Sequence, residues 1–316
     1  MATVGVLCAR VRVEEKQLMA ALAEAGALPT PLPPADVPLP VGRLAPTASS
    51  SSPSSYSPPS APSVRVIVDR CQDRAVAAAI LTACRALGAT VLDAGLAATG
   101  DRLAVAVALV SAGLPRPETR LVCSPEAALL ALAELGYPGT LLPLTAGAPA
   151  VTLLDADVAE AVLEHRAVLG SSREALALVQ AGAPASAARA TVVVVDGRAT
   201  AVAGMGPGVS LPMEALRLAE AAAATLGAVV AGVEIALTPA GPLLWDIHPV
   251  PEYRHAQPLG ERTVAVALAE AAVVRFESEL VPDRGRLPGI DVEIEIGTPH
   301  WRSNGREVRD GVALSA

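Results

Sequence analysis

The chain has 316 residues, enough for two or three small domains with cores of their own. Its net charge of −8 and the absence of any run of Lys and Arg exclude a nucleic-acid binder, because phosphate backbones are gripped by clustered cations. Aromatic residues make up 2% of the chain, so its core must be built from small aliphatic side chains; Lys16 is the only lysine, against 23 arginines.

The elements follow in order. Residues 3–8 read as a first, apolar strand, and residues 14–24 as a helix with Leu18 and Leu22 one turn apart, stopped by Gly26. Residues 29–46 are proline-rich and read as irregular. Residues 47–63 are nearly all Ser, Pro and Ala; they cannot bury enough apolar surface to offset ordering entropy, which predicts a disordered insertion. A β-branched strand at 64–68, a helix at 75–87 and a strand at 90–92 complete a β-α-β-α-β unit over residues 1–93.

A second unit is expected over 94–174. Asp101 caps a helix running to Ala112; a strand at 121–123 leads into a helix from Ser124-Pro125-Glu126 to Gly136. Strands at 139–144 and 150–154 precede a helix at 157–168. A third unit, 175–282, opens on a strand at 175–180. A hairpin of strands 191–195 and 198–203 turns on Asp196-Gly197, a pair that tolerates positive φ. Then come a helix at 211–226, strands at 229–237 and 243–247, and a helix at 258–275. In the extension, 283–316, residues 290–296 alternate apolar with acidic side chains, as a half-buried strand would.

The start of the chain has no basic segment ahead of an apolar run, so no signal peptide is expected. The longest apolar stretches, 103–110 and 264–274, fall short of the ~20 residues a bilayer requires. A cytoplasmic protein with no membrane partner is the expectation. Cys8, Cys71, Cys84 and Cys123 match neither a zinc site nor a redox pair, and read as reduced thiols.

Several stretches resemble one family. Arg10-Val-Arg-Val-Glu-Glu-Lys16 resembles the N-terminal signature of LysX-type ligases, and Asp69-Arg70-Cys71 their Arg-Cys pair. Gly100-Asp101-Arg102 and Ala112-Gly-Leu-Pro-Arg-Pro-Glu-Thr119 resemble ATP-grasp stretches, as do Gly136-Tyr-Pro138 and Leu141-Leu-Pro143. Leu163-Glu-His165, Val195-Asp-Gly-Arg-Ala199, Val233-Glu234, Leu244-Trp-Asp-Ile-His248 and Glu252-Tyr-Arg254 fall in the same order. Over residues 1–280 the chain is similar to the ATP-grasp superfamily, LysX/RimK type. The resemblance implies an α/β and α+β architecture: an ATP-grasp fold behind an N-terminal pre-ATP-grasp α/β domain. It also implies ATP and Mg²⁺ as cofactors if the protein is active, and none if it is not. The implied reaction phosphorylates a carboxylate and lets an amine attack the acyl phosphate. The implied partners are a small acidic amino-group carrier protein and a small amino acid, in a homo-oligomer.

Phosphoryl transfer demands cations on the phosphates and oxygen ligands for Mg²⁺. By resemblance Arg102 takes the place of the first ATP lysine and Gln180 stands at the adenine hinge; Arg102 equally reads as an ordinary first-turn residue of a solvated helix. Glu234, Asp246 and His248 take the metal positions, although imidazole is a poor Mg²⁺ ligand. Arg10, Arg12, Glu252 and Arg254 match positions facing the substrate, or else are solvated surface charges. Leu142 replaces the second ATP lysine, Ala181 the hinge acid, and residues 204–210 a longer substrate loop. The family's Asp-x-Arg falls at 189–191, where its arginine is lost. These losses are independent, which favours a pseudo-ligase over the alternative, an active carboxylate–amine ligase acting on the C-terminal Glu of a carrier protein.

Overall fold

The computed structural model describes residues 2–37, 64–145, 148–169, 176–182, 187–205 and 211–280. The predicted insertion at 47–63, residues 206–210 of the shortened loop and the strand predicted at 290–296 lie outside the described residues.

The N-terminal part runs β1 (Ala2–Leu7), α1 (Val13–Glu24), β2 (Ala27–Leu32), a 3₁₀ turn (Pro34–Asp36), β3 (Val66–Asp69), α2 (Arg74–Ala86) and β4 (Thr90–Leu92). Its sheet has the order β2-β1-β3-β4, and every pair is parallel. A parallel sheet is covered on both faces, which is why β3 reads as an unbroken apolar run ahead of Asp69 and is buried throughout. Asp73 starts α2 by accepting the N–H groups of Ala75 and Val76.

Strand β2 runs into the stretch expected to be irregular, from residue 29 to its end at Leu32. Its two prolines argue against a strand in general, but β2 is an edge strand. The carbonyl of Leu32 accepts the N–H of Cys8, so residues 28, 30 and 32 turn their polar groups towards β1. Pro29 and Pro31 alternate with them and turn their missing N–H outward, where no ladder bond is lost.

The middle part runs from a 3₁₀ turn (Gly95–Thr99) through α3 (Arg102–Ser111), β5 (Thr119–Val122), α4 (Pro125–Leu135), β6 (Gly139–Pro143), β7 (Val151–Leu153), α5 (Ala156–Leu169) and β8 (Ala177–Ala181). The sheet order is β5-β8-β6-β7, antiparallel throughout. One face packs under α4 and α5 through Val122, Leu132, Leu141, Leu153, Leu163 and Val179. The sequence opened its third unit with the strand at 175–180, yet β8 pairs with β5 and β6 and belongs to this second sheet. Linear order cannot reveal that a strand returns to the centre of the preceding sheet.

The last part runs β9 (Ala188–Val195), β10 (Arg198–Ala203), α6 (Met213–Leu226), β11 (Val230–Thr238), β12 (Gly241–His248), β13 (Gln257–Pro258) and α7 (Val264–Leu280). These strands form an antiparallel sheet in the order β12-β11-β9-β10-β13. The β9–β10 turn is Asp196-Gly197 with φ of 50° and 75°, as the pair predicts. The helix expected from 258 starts later: Leu259 donates its N–H to Thr200 C=O, which holds this segment on the edge of β10. Thr263 then accepts the N–H of Val266 and opens α7.

Helix α7 joins the first and third sheets in one core. Val4, Leu22 and Val66 of the first part meet Val193, Val195, Val264, Leu268 and Ala272. Each fully buried leucine there contributes about 1.5–3 kcal/mol. Helix α6 covers the opposite face of the third sheet against Val192, Val194 and Val233. No helix of the described residues is long and apolar enough to cross a membrane.

Candidate functional site

Between the second and third sheets lies a narrow cleft, lined from one side by Leu142 of β6 and Leu178 of β8 and from the other by Asp246 and Ile247 of β12. Alternation along β9 places Arg189 and Thr191 on the same face as Val193 and Val195. The latter two pack in the core with α7, and Arg189 pairs with Glu234. Glu234 of β11 is in register with Asp246 of β12 and with Thr191 of β9, and His248 follows two residues on. Cross-strand partners share a face, so all these side chains project to one side. A Cβ added at Gly232 would lie 2.9 Å from the Cβ of Pro251 and 3.2 Å from that of His248, so only glycine lets the chain after β12 fold this close.

Arg102 is held at the start of α3, where Asp101 accepts the N–H groups of Leu103 and Ala104. Its Nη1 donates to the carbonyls of Pro143 at 3.0 Å, Thr145 at 3.2 Å and Ala148 at 3.0 Å. Its Nη2 crosses the cleft to Asp246 Oδ2 at 3.1 Å. Its Nε is buried with no partner. Leu142 is buried on the cleft side of β6, packed with Ala106 of α3 and Leu178 of β8. Gln180 is fully buried; its Nε2 donates to the carbonyl of Trp245 at 3.3 Å, and its Oε1 has no partner. What remains between Arg102, Leu142, Leu178 and Asp246 is a cavity of about 10 Å³, into which Arg116 also faces.

The predicted metal residues stand on one face but do not converge. Glu234 accepts Arg189 Nη1 on Oε1 at 3.3 Å and faces His248 Nε2 with Oε2 at 3.3 Å. Burial alone would raise the Glu234 carboxyl, but the His248 hydrogen bond and the charges of His248 and Arg189 outweigh it and hold it low. The bond to Glu234 raises His248 against the opposing effect of burial. Asp246 is taken by Arg102. Among the described residues no group of three or more His, Cys, Asp or Glu side chains is gathered as a metal requires.

The predicted substrate residues are divided. Arg12 turns back to its own helix, donating through Nε and Nη2 to Glu15 at 3.2 Å each. Glu14 Oε1 accepts the N–H groups of Tyr253 at 2.8 Å and Arg254 at 3.0 Å, and Tyr253 Oη donates to Glu14 C=O at 2.9 Å. Arg70 completes the cluster through Glu15 Oε1 at 3.2 Å, Glu14 Oε2 at 3.3 Å and Pro251 C=O at 2.9 Å. So Arg12, expected to face a substrate, pairs with Glu15 instead, while Glu14 and Arg70 fasten the segment after β12 to the N-terminal part. Arg10, Glu252 and Arg254 have exposed side chains.

No protein-family model matches the chain. A solved RimK-domain ATP-grasp protein from Sphaerobacter thermophilus is 30% identical over 86% of this chain and 100% of that one, with a TM-score of 0.68. The chain belongs to the ATP-grasp superfamily, RimK type. Two further likenesses show the fold alone. The ATP-grasp ligase PsnB, solved with a precursor peptide and AMPPNP, is 15% identical over 86% of this chain and 97% of that one, at a TM-score of 0.60. The D-alanine–D-alanine ligase of Bacillus anthracis, solved with ATP, is 14% identical over 88% and 100%, also at 0.60.

Within this ATP-grasp frame the residues present do not fit a magnesium triphosphate. Mg²⁺ takes near-octahedral oxygen ligands. Here both carboxylates already carry an arginine, and His248 brings nitrogen. Leu142, which by resemblance replaces a second cation, is an aliphatic core residue. Sequence reasoning missed three contributors. Arg189 stacks on Trp245 with 4.1 Å to the ring centroid while pairing with Glu234. Arg116 was visible as the one charged residue between two prolines in Pro115-Arg116-Pro117. Trp245 carried no signal beyond its place in the Leu-Trp-Asp-Ile-His stretch.

Proposed function

We propose that this protein is a pseudo-ligase: a RimK-type ATP-grasp protein that does not use Mg-ATP and serves an amino-acid pathway in a non-catalytic role, as a binding or regulatory partner. The observation that carries this reading is the ion pair between Arg102 and Asp246. The cation that would meet a phosphate is bound to the carboxylate that would meet a metal, so each cancels the other's charge. Leu142 adds no compensating cation, and the space beside the pair is about 10 Å³, the size of one water.

The alternative, an active carboxylate–amine ligase, is favoured by one observation. Gln180 Oε1 and Arg102 Nε are buried without partners. In that reading Arg10 and Arg254 meet the acidic end of a carrier protein and Glu252 the amine of a small amino acid. Calorimetric titration with ATP, with and without Mg²⁺, separates the two. The pseudo-ligase reading expects no heat of binding at micromolar ATP; low-micromolar binding that needs Mg²⁺ would overturn it.

A further inference from the structure

We propose that residues 290–296 of this chain bind in a groove beside α7, closing the open apolar side of the helix that joins the first and third sheets. The groove has a volume of about 760 Å³ and lies between α7, the β9–β10 hairpin and the segment from Leu259 to Arg262. It shares no lining residue with the cleft, so the inference stands apart from the pseudo-ligase reading.

The groove follows from the spacing along α7. Val264, Leu268 and Ala272 fill the shared core. Ala267, Glu270, Ala271 and Val274 fall at i, i+3, i+4 and i+7, which makes them a second stripe on the same helix. That stripe lines the groove, and Val195, Ala199 and Leu259 complete an apolar floor. Val274 is 57% exposed and Leu259 45%. The alanines leave depth without covering it. Contiguous apolar surface left open in this way marks a contact site.

Charge excludes an ionic ligand. Glu270 accepts Arg262 Nη1 at 2.7 Å, and Asp196 accepts Arg275 Nη2 at 2.6 Å. The two remaining charges of the lining, Arg198 and Glu261, are of opposite sign. The rim therefore carries no excess charge to hold a phosphate, and an occupant must bring aliphatic side chains. Residues 290–296 bring them: Ile290, Val292, Ile294 and Ile296 alternate with Asp291, Glu293 and Glu295. An extended run turns the aliphatic set to the floor and the carboxylates to water.

Reach assigns this segment and not a separate protein. Helix α7 ends at Leu280, six residues beyond Val274, or about 9 Å along its axis. Residues 281–289 span up to about 30 Å when extended, and hold two prolines and two glycines, which favour a reversal of direction. A tether of that length presents residues 290–296 to the groove at an effective concentration on the order of millimolar.

Hydrogen exchange on the full chain tests the proposal. Amides of residues 290–296 should exchange about tenfold or more slowly than an unprotected peptide. Val274→Asp, at an exposed position, places a carboxylate in the floor and should abolish that protection while exchange in β6 and β8 stays as it was. Ile294→Asp should abolish it from the other side of the contact, whereas Glu293→Gln, on the acidic face, should keep it. The proposal is overturned if residues 290–296 exchange without protection, if protection survives Val274→Asp, or if Ile294→Asp and Glu293→Gln act alike. Protection that falls on dilution would also overturn it, because the segment would then lie in the groove of a second copy.

Discussion

Nη2 of Arg102 and Oδ2 of Asp246, 144 residues apart in sequence, lie 3.1 Å apart and tie the first turn of α3 to strand β12. Both side chains are largely out of water, at 7% and 13% exposure.

Removing one member of such a pair leaves the other desolvated. Asp246→Ala therefore leaves the Arg102 guanidinium without its carboxylate, and is expected to destabilise the protein by about 3–5 kcal/mol in urea denaturation. Replacing both, Arg102→Met with Asp246→Leu, should recover most of that loss, since apolar packing often equals a buried pair. A single variant within about 1 kcal/mol of wild type would show that the pair is weak and solvated.

His248 and Glu234 predict a pH window. The hydrogen bond to Glu234 raises the folded-state His248, so its contribution is complete below the unfolded value near 6.5 and is lost as pH rises through the folded one. Glu234 is lowered, so its contribution is complete above the unfolded value near 4.5 and is lost as pH falls through the folded one. Both act together between these limits. The effect is modest, because the His248 side chain is 44% exposed and screened. An NMR titration of the His248 ring should show a midpoint above the ordinary range, with Asp246 adding to the rise and Arg102 opposing it. Glu234→Gln should bring it down; an unchanged midpoint would break the assignment.

The Glu14 cluster predicts a local effect. Glu14→Gln keeps the shape but halves the acceptors available to Arg70 and to the amides of Tyr253 and Arg254, which it receives at 2.8 and 3.0 Å. The loss should be about 2–4 kcal/mol, for a broken buried network. Hydrogen exchange at residues 251–254 should quicken more than exchange in β6 or β8. Uniform quickening across the chain would mean that Glu14 supports the whole fold and not this segment.

Some of this was legible in sequence because it is local. Asp101 and Ser124 announced their helices, and Asp196-Gly197 its hairpin, through groups at most a few residues away. Strand β2 was hidden because Pro29 and Pro31 signal disruption unless the strand is known to be an edge, a property of the sheet. The return of β8 to the second sheet was hidden for the same reason. At the site, residue types were legible and pairings were not. Arg102 reads as a free cation until Asp246 is found beside it. Arg12 reads as a substrate-facing or solvated charge until Glu15 is found beside it.

Leu142 offers the sharpest test of why the cleft is unsuited to a triphosphate. It is 2% exposed and sits on the cleft side of β6, against Ala106 and Leu178. A lysine there carries its amine towards Asp246, where the charges of Arg102 and Arg116 are already only half balanced. The net positive charge beside the cavity then rises from one to two, which suits a dianion. Desolvation opposes the new charge, so Leu142→Lys alone should lower Tm. His248→Asn, added to it, replaces a nitrogen ligand by an oxygen beside Glu234. The double variant should gain stability with millimolar Mg-ATP where the wild type gains none, read as a Tm rise absent when ADP and ATP are both omitted. If the double variant is folded and still indifferent to Mg-ATP, then the obstacle lies in the Arg102–Asp246 pair and not in the lost cation at Leu142.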